Sequence, residues 1–442
     1  MELGGARVIA IDDQEKDLQG IVRALHLRGV GVLPFHYQGS DSLKRCGPGV
    51  RIVFSDINVA PSAAPPHAQH AALAAIFDAV LHEANGPWVL VAWTASPTQV
   101  GDLHVELQKA LGSERAPLAS FALGKSGFTD AQGEFDIEAV AEAVRTQLQA
   151  DPVAAAIMDL EARASDAAHD VIRSVLALAA EAGAPSIADL LKALSMAADG
   201  ASPPRAENVF QTIGPALQDR LIRRGVAAPE KAIWDEAFAR ATGAALTDSQ
   251  RARLNTTLHL DPNGRAGERG AVSILPDNLA GALKRALRVA PEGLVFEHYL
   301  KRDKALKSLK AAKRKQDPQA AVPGDDALEA EFRGQLQWCL IEAAAACDAS
   351  NAKRGLRRAI VALAVPSALG EQALVGEHCW QSPLLSLGSR TVHLVTTARV
   401  TISPVPRALE SLQPSGRIRE PLLDGLLQQV AGSQSRLGWI YF

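Results

Sequence analysis

Five apolar, strand-like runs crowd the first third of this 442-residue chain, and stretches with helical periodicity lie between most of them. This alternation constrains the fold more than any other feature. The runs are GVGVLPF and its predecessor RVIAI (7–11), then RIVFSDINV (51–59), WVLVAWTAS (88–96) and LASFALGK (118–125). Runs of continuous Val, Ile and Leu, rather than apolar-polar alternation, mark strands covered on both faces. Between them, Lys16 to Leu27 sets Leu18, Ile21, Val22 and Leu25 on one stripe, and further helical segments fall near 70–84 and 97–111. The segment 136–149, with Ile137, Val140, Val144 and Leu148 on one face, closes the series. Such alternation predicts an α/β unit with a doubly wound parallel sheet over residues 1–150.

The strand ends carry the chemistry. Asp12 and Asp13 follow the first run, Asp56 ends RIVFSD, Thr94 ends VLVAWT and Lys125 ends LASFALGK. Ligand sites of open parallel sheets lie outside the carboxyl ends of the strands, so these side chains are expected at one edge. Taken alone, Asp12 reads first as a cap for the following helix. The set reads otherwise. Asp12 and Asp13 offer oxygen ligands of the kind Mg²⁺ takes, and a metal there neutralises an incoming phosphoryl group so that the Asp56 carboxylate can attack phosphorus. Lys125 is placed to pair with the phosphate formed, and the Thr94 hydroxyl to hydrogen-bond it.

With these residues in this order, residues 6–150 resemble the receiver domain of two-component response regulators. The resemblance implies a five-stranded flavodoxin-like fold and a Mg²⁺ site formed by Asp12, Asp13, Asp56 and the carbonyl of Asn58. It also implies Asp56 as phosphoacceptor, with Thr94 and Lys125 acting on the phosphoryl group. A histidine-kinase-like ATPase is the implied partner. The family usually has Pro after the Lys, where this chain has Ser126, and an aromatic three residues before it, where this chain has Ala122.

Beyond residue 150 the composition changes. Residues 151–300 are Ala-rich with long helical periodicity and are expected as a helical middle region, with 261–276 a Gly- and charge-rich loop. Residues 301–330 are expected as a basic linker, because eight of the first fifteen are Lys or Arg and no aromatics interleave as a single-strand platform requires. Residues 331–442 predict a small β-rich (α+β) effector domain, with strands near 335–347, 357–367 and 390–403 and an amphipathic helix near the end. This part resembles domains of uncharacterised bacterial receiver-like proteins from defence and stress loci.

Charge and cysteine content narrow the classes. A net charge of −3 gives no global attraction to nucleic acid, so any such contact must be local. Four scattered cysteines form no disulfide framework, and neither a signal peptide nor a membrane-length apolar run is visible, which together imply a cytoplasmic protein. Cys339, Cys347, His378 and Cys379 lack the spacing of a zinc site, and a pairing of Cys347 with His378 or His393 is a weaker candidate for nucleophilic chemistry. Three functions follow as expectations: a phosphorylated signalling protein, an effector enzyme on nucleic acid near Cys347-Asp348, and a scaffold with a degenerate receiver.

Overall fold

The computed structural model describes residues 6–59, 64–128, 135–179, 186–199, 206–223, 225–276, 283, 290–317, 319, 322–343, 358–369, 375–376, 379–402 and 412–436. The chain divides into two compact units, Met1–Leu190 with Ile213–Thr242, and Leu191–Thr212 with Gly243–Phe442.

The first unit is built on five strands: β1 (Val8–Asp12), β2 (Leu33–His36), β3 (Ile52–Ser55), β4 (Val89–Thr94) and β5 (Ala119–Gly124). They pair in the order β2-β1-β3-β4-β5, and all four pairings are parallel. Every residue of β1 and of β4 is buried, as the continuous apolar runs require. Side-chain alternation splits these strands between two cores. Ile9, Ile11, Val53, Leu90 and Ala92 meet Leu73, Phe77, Leu103 and Leu107, from α2 (Pro66–Val80) and α3 (Val100–Leu111). Val8, Ala10, Phe54, Val91, Trp93 and Leu123 meet Leu18, Ile21, Leu25, Val140 and Val144, from α1 (Glu15–Leu27) and α4 (Ile137–Ala150). At Gly20 of α1 the approach is close: a Cβ there would lie 2.4 Å from the Phe135 ring, which itself sits 5.3 Å from the Trp93 ring. The order places a topological switch between β1 and β3, where chain crossovers leave in opposite directions and open a crevice.

The long helix α5 (Pro152–Ala179) belongs to this unit. Ala154 and Met158 pack on Val89 and Ala119, while Glu161 accepts hydrogen bonds or charge from Arg51 and from Arg7, the latter at 3.2 Å. Arg163 bridges Asp159 and Glu230, and Trp234 Nε1 donates to Asp159 Oδ2 at 2.8 Å, joining α5 to helix Ala228–Ala239.

The second unit contains an antiparallel sheet from β6 (Leu260–Asp261), β7 (Ala271–Ile274), β8 (Gln337–Glu342), β9 (Ala359–Pro366), β10 (Cys379–Gln381), β11 (Leu385–Leu387), β12 (Arg390–Ile402) and β13 (Pro414–Ile418). Its order is β10-β12-β9-β8-β7-β13-β6, with β11 paired to β12. The central strand β9 repeats the two-core logic. Val361, Leu363 and Val365 face a core with Leu306, Leu309, Leu328 and Phe332, and Ile360, Ala362 and Ala364 face one with Leu423, Leu426 and Val430 of helix Glu420–Arg436. The expected terminal helix and β-rich architecture are therefore both present.

Two expected boundaries change. The helical stretch is broken at His259, because β6 and β7 join the second sheet; the expected glycine-rich loop lies between them at 262–270, and its glycines let it pack closely on the sheet. Gly270, at φ +84°, is one: a Cβ there would lie 2.7 Å from the Ile418 carbonyl. The expected linker 301–330 contains helix Arg302–Gln316, which buries Ala305, Leu306 and Leu309. Its charges are paired with helix Asp325–Gln335: Arg302 with Glu329 at 2.7 Å, Lys310 with Asp325 at 2.6 Å and Lys313 with Glu331 at 2.9 Å. No described helix is long and apolar enough to cross a membrane.

Candidate functional site: an acidic cluster around Lys125

The strand register brings the expected residues to one edge. Ile11 pairs with Ser55, so Asp12, the last residue of β1, and Asp56, the first past β3, lie at the same level, and the Asp56 amide donates to the Ile11 carbonyl at 3.1 Å. Thr94 pairs with Gly124, which puts Lys125 one residue past the end of β5. The Lys125 ammonium then reaches across: Nζ donates to Asp12 Oδ2 at 3.0 Å and to Asp56 Oδ2 at 2.8 Å. A third carboxylate joins from the first turn of α1, Asp17 Oδ2, at 2.6 Å.

Local structure explains how each acid is held. Asp12 is not the cap of α1. That position belongs to Gln14, whose amide donates to Asp12 Oδ1 at 2.8 Å. Asp56 Oδ1 accepts the Asn58 amide at 3.2 Å. Asp13 is less buried, and its carbonyl lies 3.0 Å from His36 Nε2, a side chain at the end of β2 that also pairs with Glu15 at 3.1 Å. Ligand oxygens of Asp12, Asp13 and Asp56 all lie within 4.8 Å of one another, the one such metal-capable group among the described residues. All are carboxylates, the hard oxygen donors that Mg²⁺ takes, so the donor set fits that ion.

Burial dominates the electrostatics. Asp12 is 2% exposed. Desolvation pushes its carboxyl up to about 7, against the opposing pull of Lys125 and the Gln14 amide. Burial by itself would lower the Lys125 pKa, but the Asp12 and Asp56 charges and the hydrogen bond to Asp17 outweigh it and hold the ammonium above its ordinary value. The cluster thus keeps a fixed cation among more acids than it can neutralise.

Of the expected site residues, Asp12, Asp13, Asp56 and Lys125 converge, and Asn58 flanks Asp56 through its amide. Thr94 is fully buried at the end of β4, and its Oγ1 accepts the Ser96 amide at 3.0 Å. Sequence reasoning missed Asp17 and His36. Asp17 lies four residues past Asp13, a helical spacing that brings a first-turn acid back over the loop, but such acids normally read as helix-dipole partners. In the second unit Cys339 and Cys379 are buried, with burial raising both thiols, Cys339 to about 12. His393 Nδ1 lies 2.9 Å from the Ser382 carbonyl. Cys347, Asp348 and His378 lie outside the described residues. No protein-family model, curated protein or solved structure matches this chain.

Proposed function

We propose that the first unit is a phosphoacceptor signalling domain of the response-regulator receiver kind, taking a phosphoryl group on Asp56 and controlling the second unit as effector. The observation that carries this reading is the Lys125 ammonium bridging Asp12 and Asp56 beside Asp13 at the switch point of a 2-1-3-4-5 parallel sheet. That strand order is the flavodoxin-like one, and its ligands sit at this crevice. Asp12, Asp13 and Asp56, with the Asn58 carbonyl, would hold Mg²⁺. When bound, the metal supplies charge neutralisation for the phosphoryl oxygens.

The chain's own groups then have distinct tasks. Asp56 presents a carboxylate oxygen to phosphorus, held in orientation by the Asn58 amide. Lys125 stays protonated and pairs with the transferred group. Thr94 offers a hydroxyl that can leave the Ser96 amide and donate to a phosphoryl oxygen. The donor in the cell is a histidine-kinase-like ATPase, consistent with a role in bacterial defence signalling. An effector acting on nucleic acid through residues 301–315 is the weaker reading, since Arg302, Lys310 and Lys313 are already paired with acids.

Acetyl phosphate with Mg²⁺ tests the proposal. Wild-type protein takes up one phosphoryl group and Asp56→Asn takes up none, because the amide keeps the shape without the attacking charge. Undiminished labelling of Asp56→Asn refutes Asp56 as acceptor. An unlabelled wild type leaves a docking scaffold as the function.

A further inference from the structure

Lys125 carries one carboxylate more than the phosphoacceptor chemistry calls for. An ammonium has three donors, and Asp12, Asp17 and Asp56 each lie within hydrogen-bond reach of it, Asp17 the nearest at 2.6 Å. A phosphoryl oxygen can enter that ammonium's coordination only when a carboxylate gives way. Asp12 and Asp56 are the worst placed to do so, since their side chains are 3% and 9% exposed. The Asp17 side chain is 22% exposed and sits in the first turn of α1, where water and the helix dipole both stabilise its charge once it is released. It also stands outside the Asp12, Asp13 and Asp56 metal-capable group, so releasing it leaves those ligands undisturbed.

We propose that Asp17 is a positioning residue that competes with the phosphoryl group for Lys125 and so sets the donor concentration at which Asp56 is phosphorylated. The inference rests on the phosphoacceptor reading above. In the transfer, an Asp56 carboxylate oxygen forms a bond to phosphorus. The bond from phosphorus to the acyl oxygen of the donor breaks, and the acyl group leaves as a carboxylate with the electron pair. Lys125 keeps its proton and exchanges Asp17 for a phosphoryl oxygen. Asp17 opposes this twice, by occupying the cation and by adding negative charge where an anionic donor must arrive.

The test compares wild type, Asp17→Asn and Asp17→Glu in acetyl phosphate labelling with Mg²⁺. A unit charge removed about 6 Å from an anionic ligand shifts its binding by roughly tenfold at intermediate dielectric. Asp17→Asn is therefore expected to need about a tenth of the donor for half-maximal rate, with the maximal rate little changed. Asp17→Glu restores the wild-type requirement, and raised ionic strength narrows the difference, because screening weakens the removed repulsion. Hydrogen exchange of the β1 and β3 peptides checks that the variants are folded. A purely structural Asp17 would lower protection or maximal rate and leave half-saturation alone; that result overturns the proposal. Labelled wild type with an unchanged requirement in Asp17→Asn refutes the competition alone. Wild type that takes no label refutes the phosphoacceptor reading and this inference with it.

Discussion

Replacing Lys125 with Met removes the only described cation at hydrogen-bond distance from Asp12, Asp17 and Asp56 while keeping most of the side-chain volume. The Asp12, Asp56 and Lys125 side chains are 3%, 9% and 13% exposed, so water cannot replace the lost partner. Breaking a buried pair by removing one member costs about 3–5 kcal/mol. Protonation limits the loss. A carboxyl with an ordinary value of 3.8 can be neutralised at neutral pH for about 4 kcal/mol. Desolvation has already raised Asp12 to about 7 in the wild type against the pull of Lys125, so loss of Lys125 raises it further. The sign of the pH dependence follows. An acid whose folded pKa is raised holds its proton where the unfolded chain has lost it, so its folded form is favoured at low pH and loses stability as pH rises. Asp12 does this in both proteins, and in Lys125→Met it does so up to a higher pH, because the lysine that lowered it is gone. The stability gap is therefore expected to narrow on acidification by about 1.4 kcal/mol per pH unit until the pH reaches about 7, where wild-type Asp12 takes up its own proton. Hydrogen exchange of β1, β3 and β4 peptides across a urea series reads this in the first unit. A gap below about 1 kcal/mol, or one indifferent to acidification, refutes the account of a desolvated acid cluster held by one ammonium.

Four further outcomes are expected. Mg²⁺ protects the β1 and β3 peptides from exchange, and Asp13→Ala removes most of that protection by deleting one of three carboxylate ligands. Gly20→Ala destabilises the first unit by about 1–2 kcal/mol in thermal unfolding, because the clash with Phe135 outweighs the helix-propensity gain. Tyr299→Phe lowers the stability of the second unit by about 1 kcal/mol in urea, since the buried Tyr299 hydroxyl donates to the Val361 carbonyl at 2.9 Å. Cys339, raised by burial to about 12, keeps its proton in the folded state while the unfolded thiol loses it from about 9 upward, so it steepens the fall of stability above pH 9 by about 1.4 kcal/mol per unit, and Cys339→Ala is expected to be shallower by that amount.

The first unit was legible because its inner strands β1 and β4 are buried on both faces. VIAID and VLVAWT leave no polar position inside, so neither reads as a solvated hairpin, and their terminal polar residues are conspicuous for that reason. Asp12, Asp13 and Asp56 could be read off for the same cause: they stand together at the ends of apolar runs, where a helix cap accounts for Asp12 alone and not for the set. The second sheet was only half legible. β9 reads AIVALAVP and is unmistakable, whereas β6 has two residues and β7 four, lodged among the glycines of 261–276. Their strand character comes from pairing with β13 about 150 residues later, a tertiary partner that local pattern cannot reveal. The basic stretch misled in another way. Ala305, Leu306 and Leu309 were present in the sequence, but the spacing of its lysines dominated the pattern, and the acids that pair with them lie on the next helix.

Asp17 shows where such reading stops for a site. By sequence it is an acid in a first helical turn, and the helix dipole accounts for it completely. What makes it part of the cluster is the Lys125 stem, which leaves β5 and crosses toward α1, a contact separated by 108 residues. Strand-end logic finds residues whose backbone position already fixes them at the crevice. It cannot find a residue recruited by the reach of a long side chain from another strand. That reach also decides the chemistry. Had Lys125 met only Asp56, its ammonium would be free for any arriving anion; held by three carboxylates, it is released only to a ligand negative enough to displace one. On the phosphoacceptor proposal, a doubly charged phosphoryl group is the ligand that displaces Asp17, the most exposed of the three.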